Sequence, residues 1–384
     1  MLEHLTRYFA WRDDGTLTAA MEATLVDASS ARYAHLVQRL ATRDPARADA
    51  LGKAFGALPD DAFLRVLLAP ETGYRLGYDP GDALTETADY LETAIAVEAA
   101  ILGQAPVPAK PAWSARGDHY FPGEAGAIVA ARTDDVFDPR RPYVAPALHG
   151  MIVDASSPRA VGKLVHIAGQ AAPIAPAHLA AALDRIDAAL AVVRETDAAA
   201  WRTLTGLTDV IVVRSDPSVP EHYTSASTTL CLRRPVLRNP FVAAARVCDL
   251  ADGLVHEAIH CACDISEMVD GPWLNDASAY GTYVFSPWTG RRLDLHTYLQ
   301  ACWVWYGLWN FWLAALEEGT IAPDDAAYCL ARAYRGFYGA VAVDRLFAAT
   351  RWIAPRLLAA LASAQAAVLA QADALPIGRT PSAQ

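Results

Sequence analysis

Residues 254–260 read Leu254-Val255-His256-Glu257-Ala258-Ile259-His260. Two histidines four positions apart fall on one face of an α-helix, about 6 Å apart along its axis, so both imidazoles can reach a single metal ion. The glutamate between them stands close enough to act on a metal-bound water. Val247, Leu250, Leu254, Val255 and Ile259 supply an apolar stripe that makes this stretch a core helix. Two unpaired histidines and a glutamate would be costly inside such a helix, and that favours a metal site over simple packing.

Working outward, the chain after residue 241 reads as helices over 241–267, 293–318, 323–348 and 352–373, with a loop over 286–290. Upstream, 210–214 (Val-Ile-Val-Val-Arg) and 228–232 (Thr-Thr-Leu-Cys-Leu) are strand-like, the second running out at Pro235. A strand ahead of the helix is the arrangement in which a sheet edge can pair with an extended peptide. An Ala-rich helix over 178–195 precedes them. Short β-prone runs at 127–131, 151–154 and 164–168 lie in a Pro- and Gly-rich region. The first hundred residues carry helical periodicity, broken at Pro45, Pro59, Pro70 and Pro80. The expected fold is therefore mainly α with a small β-sheet, the HExxH helix packing beside that sheet and a C-terminal helical bundle. The Pro-rich stretch 105–112 suggests a helical region over 1–105, a catalytic region over 106–376 and a frayed tail over 377–384. One compact unit is an equally open reading.

With 32 basic and 43 acidic side chains in 384 residues, the formal charge is −11. That disfavours a phosphate-tracking nucleic-acid binder. The 53% hydrophobic and 20% charged content supports a large core. The six cysteines are scattered through apolar stretches, unlike a secreted disulfide framework. The N-terminus lacks a signal-peptide pattern, and the most apolar run, 301–316, is shorter than the roughly 20 residues that span a bilayer. A cytoplasmic protein is expected, without nucleic-acid or membrane partners. Its expected partner is a peptide or small molecule, with a homodimer left open.

A third protein ligand is needed to complete a metal site. The longer pattern HExxHxxGxxH fails, because Cys263 and Ser266 occupy its glycine and third-histidine positions. Asp276, in Trp273-Leu274-Asn275-Asp276, resembles the acid of the zinc aminopeptidases' Trp-Leu-Asn-Glu segment. His296, early in the next helix, is the other candidate.

Taken together, the HExxH run, Ser286-Pro287-Trp288, Arg291-Arg292-Leu293, His296 and the aromatic stretch from Trp303 to Trp312 resemble the HEXXH-motif peptide-modification proteins. That family occurs beside ribosomally made peptide natural products. The resemblance covers about residues 225–315. It implies an iron(II)/2-oxoglutarate-dependent hydroxylase acting at a β-carbon of a peptide or amino-acid-like substrate. His256, His260 and His296 would hold the iron, Arg291 or Arg292 would grip the co-substrate carboxylate, and Glu257 would orient a ligand or bound water. Arg233, Arg234 and Arg238 are rival candidates for that grip. Two other readings stand beside this one. The first is a zinc metallopeptidase with Glu257 as general base and Asp276 or His296 as third ligand. The second is a degenerate protein that only binds a peptide.

Overall fold

Val210–Arg214 is buried at all five positions and lies at the centre of a five-stranded sheet. A computed structural model describes residues 4–77, 83–123, 137–161, 172, 174–217, 223–225 and 233–375. The sheet order is Ala147–Leu148, Met151–Asp154, Val210–Arg214, Val236–Arg238, Tyr223–Ser225. The three inner strands are parallel, with Ile152 opposite Val210 and Val212 opposite Val236, and both outer pairings are antiparallel. A strand with parallel neighbours on both sides is characteristically covered on both faces, which is why this one is a continuous β-branched run rather than an alternating one. The protein is mainly α with small sheets, as the periodicities indicate.

The chain forms two compact units. One comprises Glu22–Asp187 and Leu207–Arg246; the other comprises Met1–Met21, Ala188–Gly206 and Val247–Gln384. Residues from both 1–105 and 106–376 contribute to each of them. The first unit holds the five-stranded sheet and a small antiparallel sheet of Ala112–Trp113, His119–Phe121 and Tyr143–Val144. Its helices Pro45–Gly56, Asp60–Leu67, Pro70–Gly77 and Leu84–Ile101 bury Leu51, Phe55, Leu67, Leu84 and Leu91 in one apolar cluster.

The second unit carries the HExxH sequence on the helix Val247–Asp270. This packs on the long helix Leu295–Glu318, whose Trp303, Trp309 and Trp312 are fully buried. The crossing is tight at Gly307, where a Cβ would meet Ile259 Cδ1 at 2.6 Å, so a larger residue would require the Ile259 side chain to shift. Asp294 caps the tryptophan helix by accepting the Thr297 N–H at 3.0 Å, and Gly319 ends it in the left-handed conformation.

Several boundaries differ from the periodicity reading. The HExxH helix begins at Val247 rather than 241, because residues 239–246 form turns. The helix expected over 323–348 stops at Tyr334. Gly339 and Ala340, both at φ 62, break the chain into the short helix Val341–Asp344. The last helix starts at Pro355, where the missing N–H costs nothing in the first turn. That helix, Pro355–Ala374, is long and apolar enough to cross a membrane by length and composition. It places Leu357, Leu361, Ala364 and Val368 in the interior of its unit. The strands expected at 127–131, 164–168 and 228–232 and the tail over 377–384 lie outside the described residues.

Candidate metal centre

His256 and His260 meet. Their Nε2 atoms are 3.2 Å apart on one face of the helix Val247–Asp270. Two nitrogens bound to one metal at about 2.0–2.1 Å, with tetrahedral to octahedral angles, are separated by about 2.8–3.4 Å, so the spacing suits a shared ion. Burial holds His256 well below the usual imidazole range, with the His260 ring and the Arg332 charge adding to it. Burial also brings His260 down to about 4, against a small upward pull from Gln300. Both rings are therefore neutral at pH 7, the form in which imidazole is a ligand.

The tautomer of His260 is set from outside the motif. Gln300 donates through Nε2 to Asp264 Oδ1 at 2.6 Å, and its Oε1 lies 2.7 Å from His260 Nδ1. A carboxylate facing the amide must receive its N–H, so the amide oxygen is left for the imidazole. Nδ1 then carries the proton and Nε2 points its lone pair at His256. Supporting groups of this kind are what orient metal-ligating histidines. Asp264 is four residues beyond His260, and Gln300 is four beyond His296, so helical spacing contained the signal.

His296 does not join the pair. Its Nε2 lies 2.6 Å from Glu267 Oε2, on the same helix as the motif and seven residues past His260. Burial disfavours its charged form, but the Glu267 hydrogen bond, with the charges of Glu267, Asp264 and Asp294, outweighs that and raises its pKa. Trp273 and Tyr280 flank the ring, at 6.1 and 5.6 Å between centroids. Among the described residues, no group of three or more histidine, cysteine or carboxylate side chains is placed to hold a metal. The residues present thus fit a metal with two of the three expected ligands, and the third is engaged by a carboxylate the sequence reading overlooked.

Glu257 is buried, at 3% exposure, next to the pair in sequence. Asp276 sits on the surface as the N-cap of Ala277–Gly281, accepting the Ser278 N–H, and takes no part in the centre. Cys261 and Cys263 are small packed residues, and burial pushes the Cys263 thiol up, away from the thiolate that binds metal.

Arg291 and Arg292 are exposed on the hairpin Tyr283–Phe285/Arg292–Asp294. Arg292 stacks over Tyr283 at 5.0 Å and Phe285 at 6.0 Å. The guanidinium whose charge acts on His256 is that of Arg332, which the sequence reading missed. It pairs with Asp249 at 3.1 Å and Asp252 at 3.5 Å, and it lies over Trp305 at 5.8 Å. Trp305 turns its edge to His256 at 6.1 Å and stacks on Trp288 at 5.9 Å. Trp288 donates to Ala333 O and lies so close to Gly336 that a Cβ there would come within 2.0 Å of it. One wall beside His256 is thus built of Trp305, Trp288 and Arg332.

The chain matches no protein-family model, and no curated protein matches it.

Proposed function

We propose that this protein is an iron(II)/2-oxoglutarate-dependent hydroxylase of a peptide or amino-acid-like substrate, acting in the cytoplasm. The observation that carries the metal reading is the pair of neutral imidazoles with Nε2 atoms 3.2 Å apart, one of them fixed in its ligating tautomer. Iron rather than zinc is favoured by the motif resemblance around residues 225–315. It is also favoured by the surface position of Asp276, which removes the acid ligand an aminopeptidase arrangement would need. Histidine ligands with open positions suit non-haem iron as well as zinc, so the metal analysis below decides between them.

In this reading His256 and His260 hold the iron, and His296 completes the set when it leaves Glu267. The bound iron supplies the chemistry that couples decarboxylation of 2-oxoglutarate by dioxygen to hydroxylation of a C–H bond, giving succinate, carbon dioxide and the alcohol. The chain's own groups prepare that site. Asp264 orients Gln300, and Gln300 holds the His260 proton at Nδ1. Trp305 packs against His256 with Trp288 stacked on it, and Arg332 offers a cation beside it. Glu257 is a buried carboxylate next to the ligands, a position from which it can steer a ligand ring.

The test is metal analysis after anaerobic purification, followed by succinate release on adding 2-oxoglutarate and air. Iron with succinate supports the proposal. Zinc with peptide hydrolysis, abolished by Glu257→Gln while the metal stays, would replace it with the metallopeptidase. No metal at all would favour a peptide-binding protein, a reading for which the His296–Glu267 contact speaks.

A further inference from the structure

In the unit built from Glu22–Asp187 and Leu207–Arg246, three guanidinium groups converge on one carboxylate. Glu71 Oε1 accepts from Arg75 Nε at 2.8 Å. Its Oε2 lies 3.6 Å from Arg159 Nε and 4.0 Å from Arg234 Nη1, both too long for hydrogen bonds. The other carboxylate in reach, Asp154, is already satisfied. It accepts the Ser156 and Ser157 N–H groups through Oδ1 and the Ser157 hydroxyl through Oδ2. Arg75 is fixed elsewhere too, lying over the Tyr90 ring at 4.7 Å.

Arg234 is the odd member. It is 2% exposed, and among the described residues neither its Nε nor its Nη1 has a hydrogen-bond partner. A guanidinium cannot shed its proton to escape burial, so the charge persists and calls for an acceptor. Breaking up or omitting a buried pair is strongly destabilising, because it leaves a charge uncompensated. Water could satisfy the donors, yet three cations would still share two carboxylates, Glu71 and Asp154, and Asp154 already accepts three hydrogen bonds. Arg159 and Glu71 keep 13% and 14% side-chain exposure, so the cluster is reached from the surface on their side, with Arg234 behind them.

We propose that Arg234 and Arg159 form a binding site for a small oxyanion, a phosphate or carboxylate group, whose oxygens take the donors that Glu71 leaves unserved. The planar fork of arginine matches two oxygens of either group, which is why arginine dominates such sites. This inference does not depend on the metal reading.

The test is calorimetric titration of the full chain with inorganic phosphate and, separately, with malonate, in chloride buffer at constant ionic strength. One saturable site is expected in the wild type, and the anion that fills it identifies phosphate or carboxylate as the ligand group. Arg234→Met and Arg159→Met should each lower that affinity at least about tenfold, the loss of one charge-assisted pair. Arg140→Met, at an 85% exposed surface arginine of the same unit, should leave it unchanged. No saturable binding of either anion to the wild type would overturn the proposal, as would wild-type affinity in either methionine variant. Should Arg234→Met fail to fold, the Arg159→Met titration decides alone.

Discussion

His296 Nε2 and Glu267 Oε2 are 2.6 Å apart, and this contact holds the expected third ligand away from His256 and His260. Glu267 is well anchored, since its Oε1 also accepts the Trp273 N–H at 2.8 Å. A metal that recruits His296 must therefore break a charge-assisted hydrogen bond worth about 1.5–3 kcal/mol. Glu267→Gln keeps the shape and the Trp273 bond while removing the charge. Cobalt(II) titration of this variant should show roughly 10- to 150-fold tighter binding than the wild type at pH 7. Equal or weaker binding would mean that His296 is no ligand, or that Glu267 itself helps to hold the metal.

The Asp264–Gln300–His260 chain gives a second expectation. Gln300→Ala removes the acceptor for the His260 Nδ1 proton, so the ring is free to protonate at Nε2 instead. Outer partners of metal-bound histidines are worth about 10- to 100-fold in affinity, and a cobalt(II) titration should show that loss. Nitrogen-15 spectra of the metal-free protein provide an independent readout. The wild type should show His260 as the Nδ1–H tautomer, and the variant a mixture. Asp264→Asn should fall between them, because an amide no longer dictates which way Gln300 faces. An Nε2–H tautomer in the wild type would sink the relay whatever the metal result.

Much of this arrangement was legible in the chain. The period of the apolar residues around 254–260 established the HExxH helix, and i, i+4 geometry brought His256 to His260. The β-branched run at Val210–Arg214 gave the central strand. What escaped were relations between helices, which depend on how two surfaces are rotated against each other. His296 was placed correctly on its helix, but nothing in the spacing distinguishes facing His260 from facing Glu267. Arg291 and Arg292 are near His296 in sequence, yet the intervening antiparallel hairpin turns them outward, while Arg332 arrives from a third helix. The breaks at Gly339 and Ala340 escaped because alanine, the best helix former, here adopts a left-handed conformation that its composition does not signal.

The two neutral histidines also set a pH dependence for the metal-free protein. Their folded pKa values lie below the ordinary 6.5, that of His260 at about 4. The unfolded chain therefore binds these protons first as the pH falls. Stability from the pair is fully present above about 6.5 and is lost progressively as the pH falls, through about 4 in the case of His260. His296 works in the opposite sense. Its raised pKa gives stability that is complete below 6.5 and lost as pH rises through the folded value. Denaturant unfolding of a His256→Phe/His260→Phe double variant should show a shallower acid slope than the wild type between pH 6.5 and 4.5. Parallel slopes would show that the two rings are not neutral in the fold.

The last expectation concerns the co-substrate carboxylate. A two-pronged grip needs a guanidinium fork, so even lysine is a poor replacement. Arg332 stands beside His256, fixed over Trp305 and steadied by Asp249. Its second partner, Asp252, has its carboxyl pushed up by burial, against the pull of Arg332 and the Trp312 hydrogen bond. At 3.5 Å this second contact is longer than the 3.1 Å pairing with Asp249, so an incoming carboxylate competes with Asp252 for that side of the fork. Arg332→Lys should raise the apparent KM for 2-oxoglutarate by roughly 10- to 150-fold with the metal content unchanged. Arg291→Lys and Arg292→Lys, on the exposed hairpin, should move it little. The reverse pattern, a large effect at Arg291 or Arg292 and none at Arg332, would return the grip to the hairpin. It would also require the hairpin to fold inward when the co-substrate binds, which a change in protease cleavage between Phe285 and Arg292 on adding 2-oxoglutarate would reveal.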